Sequence, residues 1–199
     1  MQRVRLGKLV WLPEISPGLF LSNRAFLEAA GRDDLARRDI RWLINVSQRP
    51  MPRTLFGGEV QVSHHPLPDS RYVGPDVFFA SMRAVAETIA VCEATRRAEY
   101  PRPSSYLIFC DAGTNRSCAA AVFVAISTHR FSLAGAIAYL ETSKERAMES
   151  LRRDLLKHRC KSTPPRIHWD SLTNAHFTRM ITLHLARTAP EPVLEPIFL

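Results

Sequence analysis

The chain has no apolar run approaching the roughly 18 to 20 residues that a membrane-spanning helix needs. Its first residues, Met1-Gln2-Arg3-Val4-Arg5, are basic, with no long apolar segment or small-residue cleavage site behind them. They are not expected to act as a secretory signal. Cysteine is scarce. Cys92, Cys110, Cys118 and Cys160 are the only four, and their spacing offers no zinc-type pairing. Cys110 and Cys118 would lie about two helical turns apart, too far for a disulfide. This usage suits a reducing, intracellular setting, cytoplasmic or nuclear. No Walker-type glycine loop and no dinucleotide fingerprint is present, nor is there an obvious aromatic-plus-basic platform for nucleic acid. His64 and His65 would point to opposite faces of a strand, so one metal ion could not easily use both. No metal and no cofactor is expected.

What is present is ordinary for a globular chain: 199 residues, 46% hydrophobic and 23% charged. One domain over residues 1–187 with a tail over 188–199 is the natural expectation. Net charge is +8, and of the 27 basic residues only Lys8, Lys144, Lys157 and Lys161 are lysines. A basic surface favours phosphorylated or acidic partners, or nucleic acid; solubility explains it as well. The sequence leaves the oligomeric state open.

One stretch organises the rest. The apolar run Tyr106-Leu107-Ile108-Phe109 ends at Cys110; six residues on comes Arg116, then Ser117, then a run of small and apolar residues from Cys118 to Ile126. This reads as strand, tight loop, helix. Gly113 lets the loop turn inward, so its amides converge at a helix N-terminus, a concavity suited to an anion. A thiol at the lip of such a nest is a candidate nucleophile. An arginine on the first helical turn adds a planar fork suited to two phosphate oxygens. The chemistry that follows is thiolate attack on a phosphorus held by amides and one guanidinium.

The stretch Cys110-x-Ala112-Gly113-x-x-Arg116-Ser117 resembles the signature of the cysteine-dependent protein tyrosine phosphatases, most closely its dual-specificity branch. The resemblance runs over residues 15–140. It implies an α/β fold with a central, mainly parallel sheet flanked by helices. It also implies hydrolysis of phosphotyrosine, phosphoserine or phosphothreonine in a phosphoprotein substrate. The phosphoryl group would sit on the loop formed by Asp111, Ala112, Gly113, Thr114, Asn115 and Arg116. Cys110 would form a phosphocysteine intermediate, and Ser117 would stabilise the thiolate as it leaves. Family members carry an aspartate in a loop after the third core strand; Asp69, in His65-Pro66-Leu67-Pro68-Asp69-Ser70, is the matching candidate for the general acid. As a turn or cap residue it would have no such role. Asp76 is the competing position, expected instead to cap the following helix.

The remaining elements are consistent with this layout. An edge strand or packed arm is expected over 3–12, a turn at Pro17-Gly18, a strand over 19–22 and a helix or two short helical turns over 26–38. A strand over 42–46, apolar on both faces, precedes a Pro- and Gly-containing loop over 48–58 and a strand over 59–67. Residues 76–96 form an amphipathic helix with Val77, Phe78, Met82, Val85, Ile89 and Cys92 inward, followed by an exposed loop over 96–105. Ser132 is expected to cap a helix carrying Leu133, Ala136, Ile137 and Leu140, with a separate charged helix over 145–159. An insertion containing Pro164, Pro165 and Trp169 separates it from a last helix over 171–187.

One position departs from the family pattern: Phe109 stands where a histidine usually precedes the cysteine. A ring beneath the loop would weaken the activation of Cys110, and Phe109→His is expected to raise activity if the ring is the only defect. The departure motivates an alternative, a catalytically weak pseudophosphatase serving as a phosphate-binding or scaffolding module. A third reading makes the substrate an RNA 5′-triphosphate or a phosphoinositide. It ranks lower, because Asp111 and Thr114 supply no extra cation for a highly charged ligand.

Overall fold

The computed structural model describes residues 14–16, 18–67, 74–99, 103–113, 115–129, 131–157 and 175–188. Within them lies a five-stranded sheet built from β1 (Glu14–Ser16), β2 (Leu19–Asn23), β3 (Ile40–Asn45), β4 (Gln61–His64) and β5 (Ser105–Cys110), in the spatial order β1-β2-β5-β3-β4. β1 is antiparallel to β2; the other four strands run parallel. This is the mainly parallel α/β sheet expected from the sequence. The reason is visible in β5, the middle strand. Every residue from Ser105 to Cys110 is buried, as a strand covered on both faces requires.

Side-chain alternation along β5 builds two cores. Tyr106, Ile108 and Cys110 face a core shared with Leu19 and Leu21 of β2 and Ile44 of β3. Helices α2 (Pro75–Ala98), α3 (Arg116–His129), α4 (Leu133–Lys157) and α5 (Ala175–Thr188) close that side. Leu107 and Phe109 face the other core, with Phe20, Leu43, Met51 and Phe56, closed by Leu27 and Leu35 of α1 (Arg24–Arg37). α3 packs directly under β5, and Ala119, Ala120, Ala121 and Ala125 keep its contact face small.

Several expectations are corrected. The strand expected over 59–67 is confined to Gln61–His64, although the His65 and Leu67 amides still donate to the Asn45 and Val46 carbonyls. The helix expected at 145 does not begin there, because α4 runs unbroken from Leu133 to Lys157. Glu145 and Arg146 are exposed on its surface, so the charged patch marks a solvated face and no new element. Asp76 caps nothing. α2 starts one residue earlier, at Pro75, with Gly74 at the N-cap and no side-chain cap bond, in keeping with the preference of proline for the first helical position. Val77 is 54% exposed; the inward stripe is Phe78, Met82, Val85, Ile89 and Cys92, and Val77 sits about 100° off it. The exposed loop expected from 96 starts later, since α2 continues to Ala98, and it ends at the buried Ser104. Ser132 does cap α4, its Oγ accepting from the amide of Gly135 at 3.1 Å. The expected arm over 3–12 and the insertion lie outside the described residues, as does the tail apart from Thr188, which belongs to α5 (Ala175–Thr188). Among the described residues, no helix is long and apolar enough to cross a membrane.

Candidate active site

The parallel strands end together at one edge of the sheet, where open α/β folds place their ligands. The pairing of Asn23 with Cys110 sets the ends of β2 and β5 side by side. From Cys110 the chain crosses a short loop into α3, which begins at Arg116. Gly113 makes the turn possible. Its φ is +73°, and a Cβ there would come within 2.9 Å of the Asn23 Cβ and 3.0 Å of the Ser22 carbonyl oxygen. Only glycine accepts both the left-handed backbone and the close approach of β2.

Two groups converge on the Cys110 sulfur. The amide of Gly113 lies 3.1 Å from Sγ, and the Ser117 hydroxyl lies 3.4 Å from it. Cys110 and Ser117 are both buried, so the thiol sits at the floor of the loop. Arg116 is also buried, at 4% exposure. Its Nη1 donates to the Leu67 carbonyl at 3.4 Å and its Nη2 to the Asp111 carboxylate at 2.9 Å. The structure thus brings Cys110, Gly113, Arg116 and Ser117 into one place. Asp111 and Asn115 are partly buried beside them, and Ala112 is exposed. Asp69 and Thr114 lie outside the described residues; Leu67, the last described residue before Asp69, reaches the site through its carbonyl.

A second group of residues, which sequence reasoning missed, surrounds the loop. Arg24, the first residue of α1, donates through Nε to Asp111 Oδ1 at 3.1 Å and through Nη2 to Ser47 Oγ at 3.0 Å, and it also reaches the carbonyls of Arg49 and Pro50. Asn45, fully buried at the end of β3, pins that turn. Its Oδ1 accepts from the Ser47 amide at 2.9 Å and the Ser47 hydroxyl at 2.7 Å, and its Nδ2 donates to the Arg49 carbonyl at 2.8 Å. The signal was present in principle: a strand parallel to β5 must deliver its own C-terminal residues to the same edge.

The two histidines take separate partners. His64 Nε2 bonds to the Ser47 carbonyl at 2.8 Å, and His65 Nε2 bonds to the Thr88 hydroxyl at 2.8 Å. Burial, then the neighbouring His64, hold the His65 pKa below its usual value, against a smaller opposing pull from Glu87. Cys92 lies in the core, and burial pushes its thiol up to about 12; it behaves as a small apolar residue. No disulfide links Cys92, Cys110 or Cys118.

No protein-family model matches the chain, and no curated protein matches it in sequence. Solved structures do match over most of its length. Human DUSP28 is 21% identical, with 86% of this chain and 95% of that one covered and a TM-score of 0.54. A mouse putative dual specificity phosphatase, crystallised with zinc tungstate, is 22% identical, covering 89% and 91%, with a TM-score of 0.55. The human tyrosine phosphatase-like serine/threonine/tyrosine-interacting protein is 18% identical, covering 88% and 96%, with a TM-score of 0.56. The chain has the fold of the dual-specificity phosphatases.

Proposed function

We propose that this protein is a cysteine-dependent phosphatase of dual-specificity type, acting on phosphorylated side chains of protein substrates. The observation that carries the reading is the convergence at Cys110: a loop amide at 3.1 Å and the Ser117 hydroxyl at 3.4 Å on the sulfur, with the buried Arg116 fork on the same loop. A core packing site has no need of an arginine beside a cysteine. Cysteine-dependent phosphoryl transfer uses both, one as nucleophile and one to hold the phosphate oxygens.

In the proposed mechanism the loop amides and Arg116 hold the three non-bridging oxygens of the phosphate. The Cys110 thiolate attacks phosphorus in line, the P–O bond to the substrate breaks, and the leaving oxygen takes a proton from Asp69. Water then attacks the phosphocysteine, giving its proton to Asp69, and the sulfur departs toward the Ser117 hydroxyl. The loop contributes position and electrostatic stabilisation of the charge spread over the equatorial oxygens. Each step uses groups of this chain and requires no metal.

The test is hydrolysis of a small aryl phosphate by the wild type, Cys110→Ser and Arg116→Lys. The wild type turns over. Cys110→Ser does not, yet still binds tungstate, because the amides and Arg116 remain. Arg116→Lys loses most activity, since a point charge does not replace a bidentate fork. Turnover by Cys110→Ser, or wild-type rates in Arg116→Lys, would place the chemistry elsewhere. A wild type that binds tungstate without turning over substrate would favour the phosphate-reading module instead.

A further inference from the structure

Arg24 and Arg116 share one carboxylate. Asp111 Oδ1 accepts from Arg24 Nε at 3.1 Å, and Asp111 Oδ2 accepts from Arg116 Nη2 at 2.9 Å. Arg24 is held for this role by the Ser47 hydroxyl and by the carbonyls of Arg49 and Pro50, with the more exposed Glu28 at 3.8 Å on its outer side. The Asp111 side chain is 39% exposed, whereas those of Arg24 and Arg116 are 17% and 5% exposed. The carboxylate therefore stands at the mouth of the loop, within hydrogen-bond distance of the guanidinium that would receive a phosphate.

The charge balance decides what such a mouth admits. With Cys110 as thiolate, the two arginines face that thiolate and the Asp111 carboxylate, with Glu28 adding a further negative charge 3.8 Å from Arg24, so the loop amides and the α3 N-terminus supply the remaining attraction for an anion. One tetrahedral dianion fits that provision. A chain of phosphates carries further charge past Asp111, where repulsion acts at short range.

We propose that Asp111 is a specificity-determining residue, with Arg24 as its positioning residue, and that together they restrict the loop to isolated phosphate monoesters and exclude polyphosphate chains such as an RNA 5′-triphosphate. The proposal rests on the reading of the loop as a phosphate site and narrows it to a substrate class. The two substitutions that test it move the charge in opposite directions. Asp111→Asn removes the negative charge and leaves both arginines to the ligand. Arg24→Gln removes a positive charge and leaves Asp111 on Arg116 alone.

The experiment measures binding of inorganic orthophosphate and inorganic tripolyphosphate to the wild type and both variants by calorimetry, with thermal melts to establish folding. Relative to wild type, Asp111→Asn increases the preference for tripolyphosphate over orthophosphate by about tenfold, the scale set by one unit charge acting on the additional ligand charges under near-aqueous screening. Arg24→Gln shifts that ratio the other way. Either folded variant suffices as a test. An unchanged ratio in a folded variant that still binds orthophosphate overturns this inference and leaves the phosphate site intact. Failure of the folded wild type to bind either anion overturns the phosphate site itself, and this inference with it.

Discussion

Phe109 and Cys110 are consecutive in the chain, yet their side chains lie in different cores. The Phe109 ring packs with Phe20, Leu43 and Phe56 on the α1 side, while the Cys110 side chain faces the α3 side of the sheet. The ring is fully buried, and the Phe109 carbonyl accepts from the Val46 amide at 2.9 Å. Phe109 therefore does not press on the thiol from beneath the loop.

Phe109→His is predicted to weaken the protein without activating it. An imidazole replacing a fully buried ring enters an apolar cluster, and a buried polar group without a partner costs about 1–3 kcal/mol. Denaturant midpoints and aryl phosphate turnover on the same preparations check this. A faster enzyme of unchanged stability would restore the expectation drawn from the sequence, that the ring impairs the loop.

Gly113→Ala is predicted to displace the loop. The new methyl meets the Asn23 Cβ at 2.9 Å, the Ser22 carbonyl oxygen at 3.0 Å and the Asn23 amide at 3.1 Å, two of them rigid backbone atoms of β2. Displacement of a reacting group by about 1 Å costs on the order of 100-fold in rate. Turnover should fall by that order while the far-ultraviolet spectrum stays native. Wild-type turnover would mean that the loop tolerates a different backbone from the one seen.

Asp69→Ala is predicted to act selectively. Where the leaving oxygen needs a proton, the loss is about 10²- to 10⁴-fold; where the leaving group is a stable phenolate, it is much smaller. A series of aryl phosphates of graded leaving-group acidity reads the difference as a change in slope. An equal loss throughout would assign Asp69 a structural role.

His65 makes stability depend on pH. Its pKa is lowered in the folded protein, so the unfolded chain binds the proton more readily. The contribution of the neutral, half-buried ring is complete above the unfolded value of about 6.5 and falls away as pH drops through that value toward the folded one. Melting temperature should decline over this interval in the wild type and decline less in His65→Gln, which retains a partner for Thr88. Identical profiles for the two proteins would remove His65 from the account.

The strand, turn and helix from Tyr106 to Ser117 were legible because they are local, whereas the mainly parallel sheet was expected from the family resemblance. A continuous apolar run of strand length, a cysteine, a glycine and an arginine at fixed spacing define a strand, a turn and a helix with no need of distant partners. The Arg24–Asp111 bond joins residues 87 positions apart and depends on the register that pairs Asn23 with Cys110, which no local pattern carries. The length of α4 was hidden for a different reason: charged residues at 144–146 resemble a helix boundary, whereas Glu145 and Arg146 lie on the solvent side of a continuous helix. The placement of Phe109 followed from strand alternation alone, since residues 109 and 110 must face opposite ways; the expectation of a ring under the loop overlooked it.

The central claim is a covalent phosphocysteine at Cys110. The most direct measurement is acid quenching of the protein within milliseconds of mixing with a phosphotyrosine peptide, followed by mass analysis of the fragment containing residues 107–116. The account predicts that this fragment gains one phosphoryl group on Cys110 in the wild type and none in Cys110→Ser, and that Asp69→Ala, mixed instead with an aryl phosphate whose leaving group is a stable phenolate, accumulates more of it because hydrolysis of the intermediate is slowed. Turnover of the peptide with no phosphoryl group on Cys110 at any quench time, or with the label on another residue, would contradict it.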